Sequence, residues 1–173
     1  MFFEELDIKV LAKDDSNNVK LDVGNQIMLQ ELEEFGDGSR YQREGFEYTL
    51  ISRRTANSFN SVGTDIEALQ QRYGGNPAFI HPEDMFKDGI QKGDIVSVES
   101  PHGKIQAIAC PEKTLRRGVI AMTHSWGKNP GADSKLNIDG TNIGRLISVE
   151  EDYARYSGIP LMSGIPVSLN RTP

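Results

Sequence analysis

Seven residues of the 173-residue chain carry side chains suited to holding a polar ligand. They are Arg53, Arg54, Asn60, Ser61, His124, Trp126 and Asn142. An arginine guanidinium offers planar, bidentate donors, and an asparagine amide both donates and accepts hydrogen bonds. An indole can stack on a flat ring, and an imidazole can hydrogen-bond to one. Simpler explanations stay open for five of them: solvated arginines, an Asn-Ser pair that caps a loop, and a tryptophan that packs the rim of the fold.

The chain offers little for metal or redox chemistry of its own. Its single cysteine, Cys110, excludes an internal disulfide and a Cys-ligated iron–sulfur cluster, and its place in a strand pattern before a proline predicts a buried structural thiol. His81 is predicted to start a helix, and His102 to be solvated at a hairpin tip. We therefore predict no catalytic and no metal-ligating residue, and expect the isolated chain to be inactive.

Composition indicates a globular chain with a distinct acidic lead-in. Hydrophobic residues make up 37%, the mean hydropathy is −0.46, and no apolar run approaches the length of a transmembrane helix. Residues 1–45 hold eleven acidic and five basic residues, whereas residues 46–173 are neutral. Without a basic excess, nucleic-acid binding is not expected. We place a boundary near Gly45, between an acidic N-terminal segment and a globular body.

The N-terminal segment is predicted to contain a strand over 6–11, a turn over 14–18, an apolar run over 19–23 and a helix over 26–35. The apolar face of that helix is predicted to dock on the body through Met28, Leu32 and Phe35.

Short strands dominate the predicted body. They are expected at 48–51, 78–80, 94–99, 104–110, 118–123 and 167–169, with short helices starting at about Asp65 and at Pro82. Gly89 suits a helix C-cap, and Gly93-Asp94 suits a turn in which Asp94 accepts backbone hydrogen bonds. Six short strands with few helices predict a small closed β-barrel.

Eight segments of the body occur in an informative order. They are Leu50-Ile51-Ser52-Arg53-Arg54, Asn60-Ser61, Ile80-His81-Pro82-Glu83-Asp84, Gly93-Asp94, Gly118-Val119-Ile120, His124-Ser125-Trp126-Gly127, Thr141-Asn142-Ile143-Gly144-Arg145-Leu146 and Ser157-Gly158-Ile159-Pro160. Residues 46–173 thereby resemble the molybdopterin dinucleotide-binding domain. This is the C-terminal domain of large molybdenum or tungsten oxidoreductases of the dimethyl sulfoxide reductase and formate dehydrogenase type.

The resemblance implies a six-stranded double-psi β-barrel over 46–173, with residues 1–45 as the tail of a preceding domain. It implies a cofactor-binding domain of a larger enzyme. In the full-length enzyme this domain would bind molybdopterin guanine dinucleotide, which carries molybdenum or tungsten. The isolated chain is expected to lack the cofactor. The expected partners are the preceding domains of the same oxidoreductase, and the expected location is the cytoplasm, with no membrane segment in this chain.

The resemblance also assigns roles to the seven residues. Arg53 or Arg54 would meet the pyrophosphate or the pterin, Asn60 and Ser61 would line the pterin, and Asn142 would reach it. His124 and Trp126 lie in a loop beside the cofactor in the family. Two departures stand out: the loop after the first strand has no histidine, and the leucine expected soon after Asn142 comes only at Leu146.

Two other classes stay open. One is a free-standing small cofactor-binding subunit of a formylmethanofuran dehydrogenase-type complex. The other is a non-redox double-psi barrel that serves as a protein-interaction module. A self-processing decarboxylase of that fold needs a Gly-Ser scission site, and the only such pair, Gly38-Ser39, lies outside the predicted barrel.

Overall fold

The computed structural model describes residues 24–36, 43–56, 59–64, 66–73, 75–127 and 135–172. Its helices and strands are α1 (Gln26–Gly36), β1 (Tyr48–Arg53), α2 (Glu67–Tyr73), β2 (Ala78–Ile80), α3 (Pro82–Lys87), β3 (Ile95–Ser100), β4 (Gly103–Pro111), β5 (Val119–Thr123), a 3₁₀ helix (Ile143–Leu146) and β6 (Ile165–Arg171). The predicted helix over 26–35 and the six predicted body strands are all present. The predicted strand over 6–11, the turn over 14–18 and the apolar run over 19–23 lie outside the described residues.

The strands form a closed barrel in the order β1-β5-β2-β4-β3-β6, with β6 pairing back to β1. The pairs β1–β5 and β2–β4 are parallel, and the other neighbouring pairs are antiparallel. The predicted six-stranded double-psi barrel is therefore confirmed. Closure leaves no free sheet edge among these strands, which is how a small all-β domain avoids edge-to-edge pairing.

The barrel interior is filled by aliphatic side chains from every side of the sheet. The alternation of a strand's side chains between its two faces sends one set inward. The fully buried strand residues are Leu50, Ile80, Val96, Val98, Ile120, Met122 and Val167, and Leu146 of the 3₁₀ helix is fully buried as well. Complete burial of each such side chain stabilises the fold by about 1.5–3 kcal/mol. Cys110 lies on β4 and is only half-buried, so the prediction of a buried thiol is wrong.

Strand directions define two ends of the barrel. At the upper end, β1, β3 and β5 finish while β2, β4 and β6 begin; at the lower end the reverse holds. The loops that follow β1 and β5 therefore both leave from the upper end. These two loops carry five of the seven residues that the sequence singled out, and Arg53 adjoins the first of them.

The lower end is organised by acidic side chains that hold turns. Asp94 accepts a hydrogen bond from the backbone N–H of Gln91 at 2.9 Å and pairs with Arg171 at 3.0 Å. This confirms the structural role predicted for the Gly93-Asp94 turn, in which Gly93 has φ of +91°. His81 is the N-cap of α3, as predicted, and its Nδ1 accepts from the N–H of Glu83.

Helix α1 does not pack as the sequence predicted. Met28 and Leu32 are 42% and 65% exposed, so their predicted docking on the barrel is wrong; the side chain of Phe35 lies outside the described part. Instead, Glu31 is buried and accepts from the backbone N–H of Arg155 at 2.9 Å, and Glu34 pairs with the Arg155 guanidinium at 2.7 Å. Polar contacts thus attach α1, and its Met28 and Leu32 side chains stay exposed.

Candidate functional site at the upper end of the barrel

The parallel pairing of β1 with β5 brings two candidate loops together. Arg53 and Thr123 are register partners at the last position of each strand. The chain then continues into Arg54 and the Asn60 hairpin on one side, and into His124 to Gly127 on the other. Asn60 and Ser125, one in each loop, have positive φ of 55° and 70°. Such non-glycine conformations are held only where surrounding contacts determine them, and they concentrate at functional sites.

A hydrogen-bonded cluster joins the two loops. The Asn60 carboxamide oxygen accepts from the Arg54 guanidinium and lies 3.0 Å from Nε2 of His124. On the other side of the imidazole, Nδ1 lies 3.3 Å from the Ser52 hydroxyl. Three of the predicted residues therefore meet, although 64 positions separate Asn60 from His124.

The cluster favours a neutral His124. Partial burial is the larger cause that lowers the pKa of His124 below 6.5, and the positive charge of Arg54 lowers it further. With Nε2 donating to the Asn60 oxygen, Nδ1 is the acceptor for the Ser52 hydroxyl. The imidazole is thus fixed in one tautomer, and the cation of the cluster is Arg54.

A tight hairpin presents Asn60 and Ser61. Phe59 and Val62 pair through both backbone hydrogen bonds, at 3.2 and 2.9 Å, so that Asn60 and Ser61 form the exposed tip. The Ser61 carbonyl accepts from the Thr64 hydroxyl at 2.9 Å, which fixes the turn from behind. Ser61 thus lies beside the Asn60 cluster and is exposed.

Trp126 is buried, and its position does not suit ring stacking on a ligand. It is only 7% exposed, and it lines a cavity of about 20 Å³ with Thr64, Gln70 and Asp139. Thr64 follows the Asn60 hairpin, so this indole packs between the two candidate loops. The structure therefore brings Trp126 to the upper end but places it beneath the exposed polar residues.

Asn142 approaches the same loop from a third segment. It is exposed, and its Oδ1 caps the 3₁₀ helix by accepting from the N–H of Gly144 at 2.9 Å. A Cβ on Gly127 would lie 2.3 Å from the backbone nitrogen of Asn142, so the chains are in direct backbone contact. Gly127 also has φ of +74° and donates to the Asp139 carbonyl at 2.8 Å.

Arg53 is separated from this set by its own contacts. Its guanidinium pairs with Glu112 at 3.2 Å and lies 4.1 Å from the centre of the Phe79 ring. Glu112 follows β4, and Phe79 is on β2, so the side chain lies along the barrel wall. Of the two arginines that the sequence proposed, the structure brings only Arg54 into the cluster.

The sequence reasoning missed Asn76, which is buried at the upper end where β2 begins. Its amide contacts both Thr123, at the end of β5, and Thr141, next to Asn142. The available signal was Gly74-Gly75-Asn76-Pro77, a polar residue between a double glycine and a proline.

The upper end has the chemical character that a polar cofactor needs. Arg54, Asn60, Ser61 and Asn142 are exposed there, and the Arg54 guanidinium and the two amides have donors beyond those used in their internal contacts. Among the described residues, no group of three or more His, Cys, Asp and Glu side chains could hold a metal ion. Guanidinium and amide donors of this kind can pair with the oxygens of an organic, anionic ligand.

A wider depression of about 440 Å³ lies beside α1, close to the β3–β4 hairpin. Its lining is dominated by charged side chains that pair with one another, including Arg43 with Asp152 at 3.2 Å. His102 contacts the same Asp152 and its side chain is only 15% exposed, so the predicted solvated hairpin tip is wrong. The segment around Asp152 folds back over the β3–β4 hairpin. None of the seven predicted residues lines this depression.

Comparison with known proteins gives a decisive match. A family model described as the Molydopterin dinucleotide binding domain matches residues 48–166. The chain belongs to this family. A tetrathionate reductase subunit of Archaeoglobus fulgidus is 37% identical over 92 residues, which cover 50% of this chain and 8% of that protein. A sulfite dehydrogenase subunit of Allochromatium vinosum is 28% identical over 138 residues, which cover 78% of this chain and 14% of that protein.

Two further similarities extend the comparison. Trimethylamine-N-oxide reductase of Haemophilus influenzae is 38% identical over 58 residues, or 32% of this chain and 7% of the enzyme. The structure of acetylene hydratase from Pelobacter acetylenicus superposes with a TM-score of 0.62 at 18% identity, over 82% of this chain and 20% of that one. The similarity to acetylene hydratase establishes the fold alone. The chain spans no more than about a seventh of the length of these curated relatives.

Family membership bears on the function classes left open by the sequence. The chain is a molybdopterin dinucleotide-binding domain of the kind found in larger molybdopterin oxidoreductases, whose cofactor is molybdopterin guanine dinucleotide with molybdenum or tungsten. This favours cofactor binding over a non-redox interaction module. In the described residues, no helix has the length and apolarity to cross a membrane.

Proposed function

We propose that the upper end of this barrel binds molybdopterin guanine dinucleotide through exposed and half-buried polar side chains of three segments. The residues in question are Arg54, Asn60, Ser61, His124 and Asn142. The observation that carries this proposal is the Arg54–Asn60–His124 cluster, because it joins two loops that are distant in sequence. When bound, the cofactor supplies the metal centre at which the whole enzyme's reaction takes place.

The polar atoms left by the internal contacts suit the ligand. The Arg54 guanidinium carries five donors, so it can present a second edge to a phosphate oxygen while one nitrogen donates to Asn60. Since the oxygens of Asn60 and Asn142 accept internal hydrogen bonds, their Nδ2 groups are the atoms directed to ligand acceptors. Because His124 is neutral, its imidazole does not repel the positively charged guanidinium of Arg54. Trp126 and Arg53 were both predicted to contact the cofactor directly. In this proposal Trp126 instead supports the loop after β5, and Arg53 packs along the barrel wall.

We further propose that the chain works as the cofactor-binding part of a larger molybdenum or tungsten oxidoreductase. The preceding domains of that enzyme would be its partners and would complete the cleft. The relatives' names specify different substrates, so the substrate would be chosen outside this domain. On this account the isolated chain binds the cofactor weakly and does not turn over substrate. We place it in the cytoplasm, where a single unpaired cysteine stays reduced.

A titration tests the binding proposal. The chain is titrated anaerobically with molybdopterin guanine dinucleotide and, separately, with guanosine diphosphate, and the fluorescence of Trp126, its single tryptophan, is followed. Saturable binding is expected, and Arg54→Ala and Asn142→Ala should each weaken it about tenfold, as loss of a charge-assisted or buried hydrogen bond does.

Arg171→Ala is the matched control, since Arg171 is an exposed arginine paired with an aspartate at the lower end. It should bind as the parent chain does. Equal affinity in all three variants, or no binding of either ligand, would count against the upper end as the site.

A further inference from the structure

Asn76 uses nearly all of its hydrogen-bonding capacity to join two segments. It is only 3% exposed and lies shortly before β2. Its Nδ2 donates to the carbonyl oxygens of Thr123 and Thr141 at 2.7 and 2.8 Å. Its Oδ1 accepts from the backbone N–H of Thr141 at 2.7 Å. The side chain therefore pairs with Thr141 in both directions and with the end of β5 at the same time.

Few residue types can make this set of contacts. Two carbonyl oxygens require two donors, and the Thr141 N–H requires an acceptor, a combination that a primary amide supplies. An aspartate has the same shape, but its second carboxylate oxygen cannot donate a hydrogen bond to the two carbonyl oxygens. A serine is too short to span the three backbone groups. The network also fixes the amide orientation, because only one assignment of nitrogen and oxygen pairs every group.

The neighbouring backbone is packed closely around this amide. A Cβ on Gly140 would lie 2.3 Å from Asn76 Oδ1, and Gly140 has φ of +66°. A Cβ on Gly75 would lie 2.6 Å from the Leu136 carbonyl oxygen. Two glycines thus permit the segment over 135–142 to lie directly against Asn76, which leaves that segment little freedom to shift.

We propose that Asn76 is a positioning residue of the cofactor site, an inference that rests on the proposed function. Thr123 is followed directly by His124, and Thr141 is followed directly by Asn142. By holding Thr123 and Thr141 together, the amide sets the spacing between two of the ligand-binding segments. Asn76 itself is buried beneath them and contacts neither ligand nor solvent in this account.

On this proposal, the Asn76 amide determines how the loops at the upper end are arranged. The strand pairings of the barrel determine whether the chain folds. The β1–β5 and β2–β5 pairings do not include Asn76. Its loss should therefore loosen the His124–Gly127 loop and the Asn142 segment within a barrel that stays folded. Substitution of a residue that supported only global stability would lower the melting temperature and leave the structure of the folded state unchanged below it.

The test compares Asn76→Asp with Asn170→Asp, the same chemical change at an exposed position on β6. Far-UV circular dichroism establishes that each variant is folded. In Asn76→Asp, acrylamide quenching of Trp126 should rise about twofold and affinity for guanosine diphosphate should fall about tenfold, since a buried polar contact set is lost. Asn170→Asp should match the parent chain in both.

The two readouts separate failure of this inference from failure of the proposed function. If the parent chain binds guanosine diphosphate and Asn76→Asp matches it in affinity and in quenching, Asn76 does not position the site. If no chain binds the nucleotide, the proposed function fails, and Trp126 quenching still reports whether Asn76 holds the loop.

A measurement on the unchanged chain covers the case in which Asn76→Asp does not fold. Native-state hydrogen exchange should show the amides of Thr141 and Gly127 opening together, more slowly than the amides of the Asn60 hairpin. Exchange of Thr141 as fast as that of the hairpin would overturn the inference without any substitution.

Discussion

The two ends of the barrel are held by different interactions. At the lower end, carboxylates hold turns: Asp94 accepts from the Gln91 N–H three positions away, and Asp84 accepts from the Gly118 N–H at 2.7 Å. At the upper end, one buried amide and several glycine contacts join the segments 75–76, 123–127 and 135–142. The first arrangement gives a rim whose acidic side chains are paired. The second leaves exposed polar side chains and two loop residues with positive φ, Asn60 and Ser125.

The two ends of the barrel therefore have different roles. The lower end pairs its acidic groups internally and so contributes stability without needing a ligand. The upper end presents Arg54, Asn60 and Asn142, and the buried Asn76 amide holds the backbone next to Asn142.

The largest effect is expected from Gly127→Ala. The new methyl group would meet the backbone of Asn142 and Thr141 within 2.3–2.7 Å at a residue with positive φ. Backbone strain and overlap together should cost about 2–5 kcal/mol of unfolding free energy. Gly89→Ala, at the lower end, has a similar φ of +65° and open space around the Cβ, so it should cost only about 1–2 kcal/mol. Chemical denaturation measures both, and equal losses would argue against the close packing at Gly127.

A smaller effect is expected from Asp84→Asn at the lower end. Asp84 is buried and accepts from Arg117 Nε at 3.0 Å as well as from the Gly118 N–H. An amide in its place mispairs one of these donors, which should lower the unfolding free energy by about 1–3 kcal/mol. Because the change is confined to the lower end, Trp126 quenching should not change. A loss of stability accompanied by exposure of Trp126 would mean that the two ends are not independent.

The cluster should also show a pH dependence that Arg54 controls. The folded-state pKa of His124 lies below 6.5, so the stability contributed by its neutral form is fully present above pH 6.5 and is lost as the pH falls toward the folded-state pKa. In Arg54→Gln the positive charge is gone, and the His124 midpoint should move upward. NMR titration of the imidazole resonances measures this, and a midpoint unaffected by the substitution would separate Arg54 from the cluster.

The smallest effect on stability is expected from Asn60→Ala. Asn60 is exposed, so losing its contacts with Arg54 and His124 costs little, and alanine tolerates the positive φ less well than asparagine; together these should lower the unfolding free energy by about 0.5–1 kcal/mol. Ligand affinity should nevertheless fall severalfold. A large loss of stability with unchanged affinity would assign Asn60 to the fold instead.

The barrel was predictable because its signals are local. Alternating apolar residues mark β3 and β4, and Gly93-Asp94 marks a turn whose key hydrogen bond spans three residues. The upper end depends on contacts between residues 47 to 65 positions apart, such as those of Asn76, and single-chain patterns do not reveal such pairs. The docking of α1 was wrongly predicted for a related reason: its apolar periodicity is real, yet hydrogen bonds of the buried Glu31 attach the helix.

The site was predictable in outline through its resemblance to a family, and only in part by residue. The order of motifs pointed to Arg54, Asn60 and His124, which the fold brings together. It could not show that Arg53 pairs with Glu112 on the barrel wall or that Trp126 is buried, because both depend on which way a side chain leaves its strand or loop. Trp126 shares its small cavity with Thr64 and Asp139, which belong to other segments of the body.

The central claim is that the upper end of the barrel is the cofactor-binding surface. Chemical-shift mapping of the ¹⁵N-labelled chain with molybdopterin guanine dinucleotide tests it most directly, because every backbone amide reports its own position. The account predicts shifts concentrated at Arg54, Asn60, His124, Gly127 and Asn142, with the turns around Asp84 and Asp94 unchanged. Shifts concentrated at those lower-end turns, or spread evenly over both ends, would contradict it.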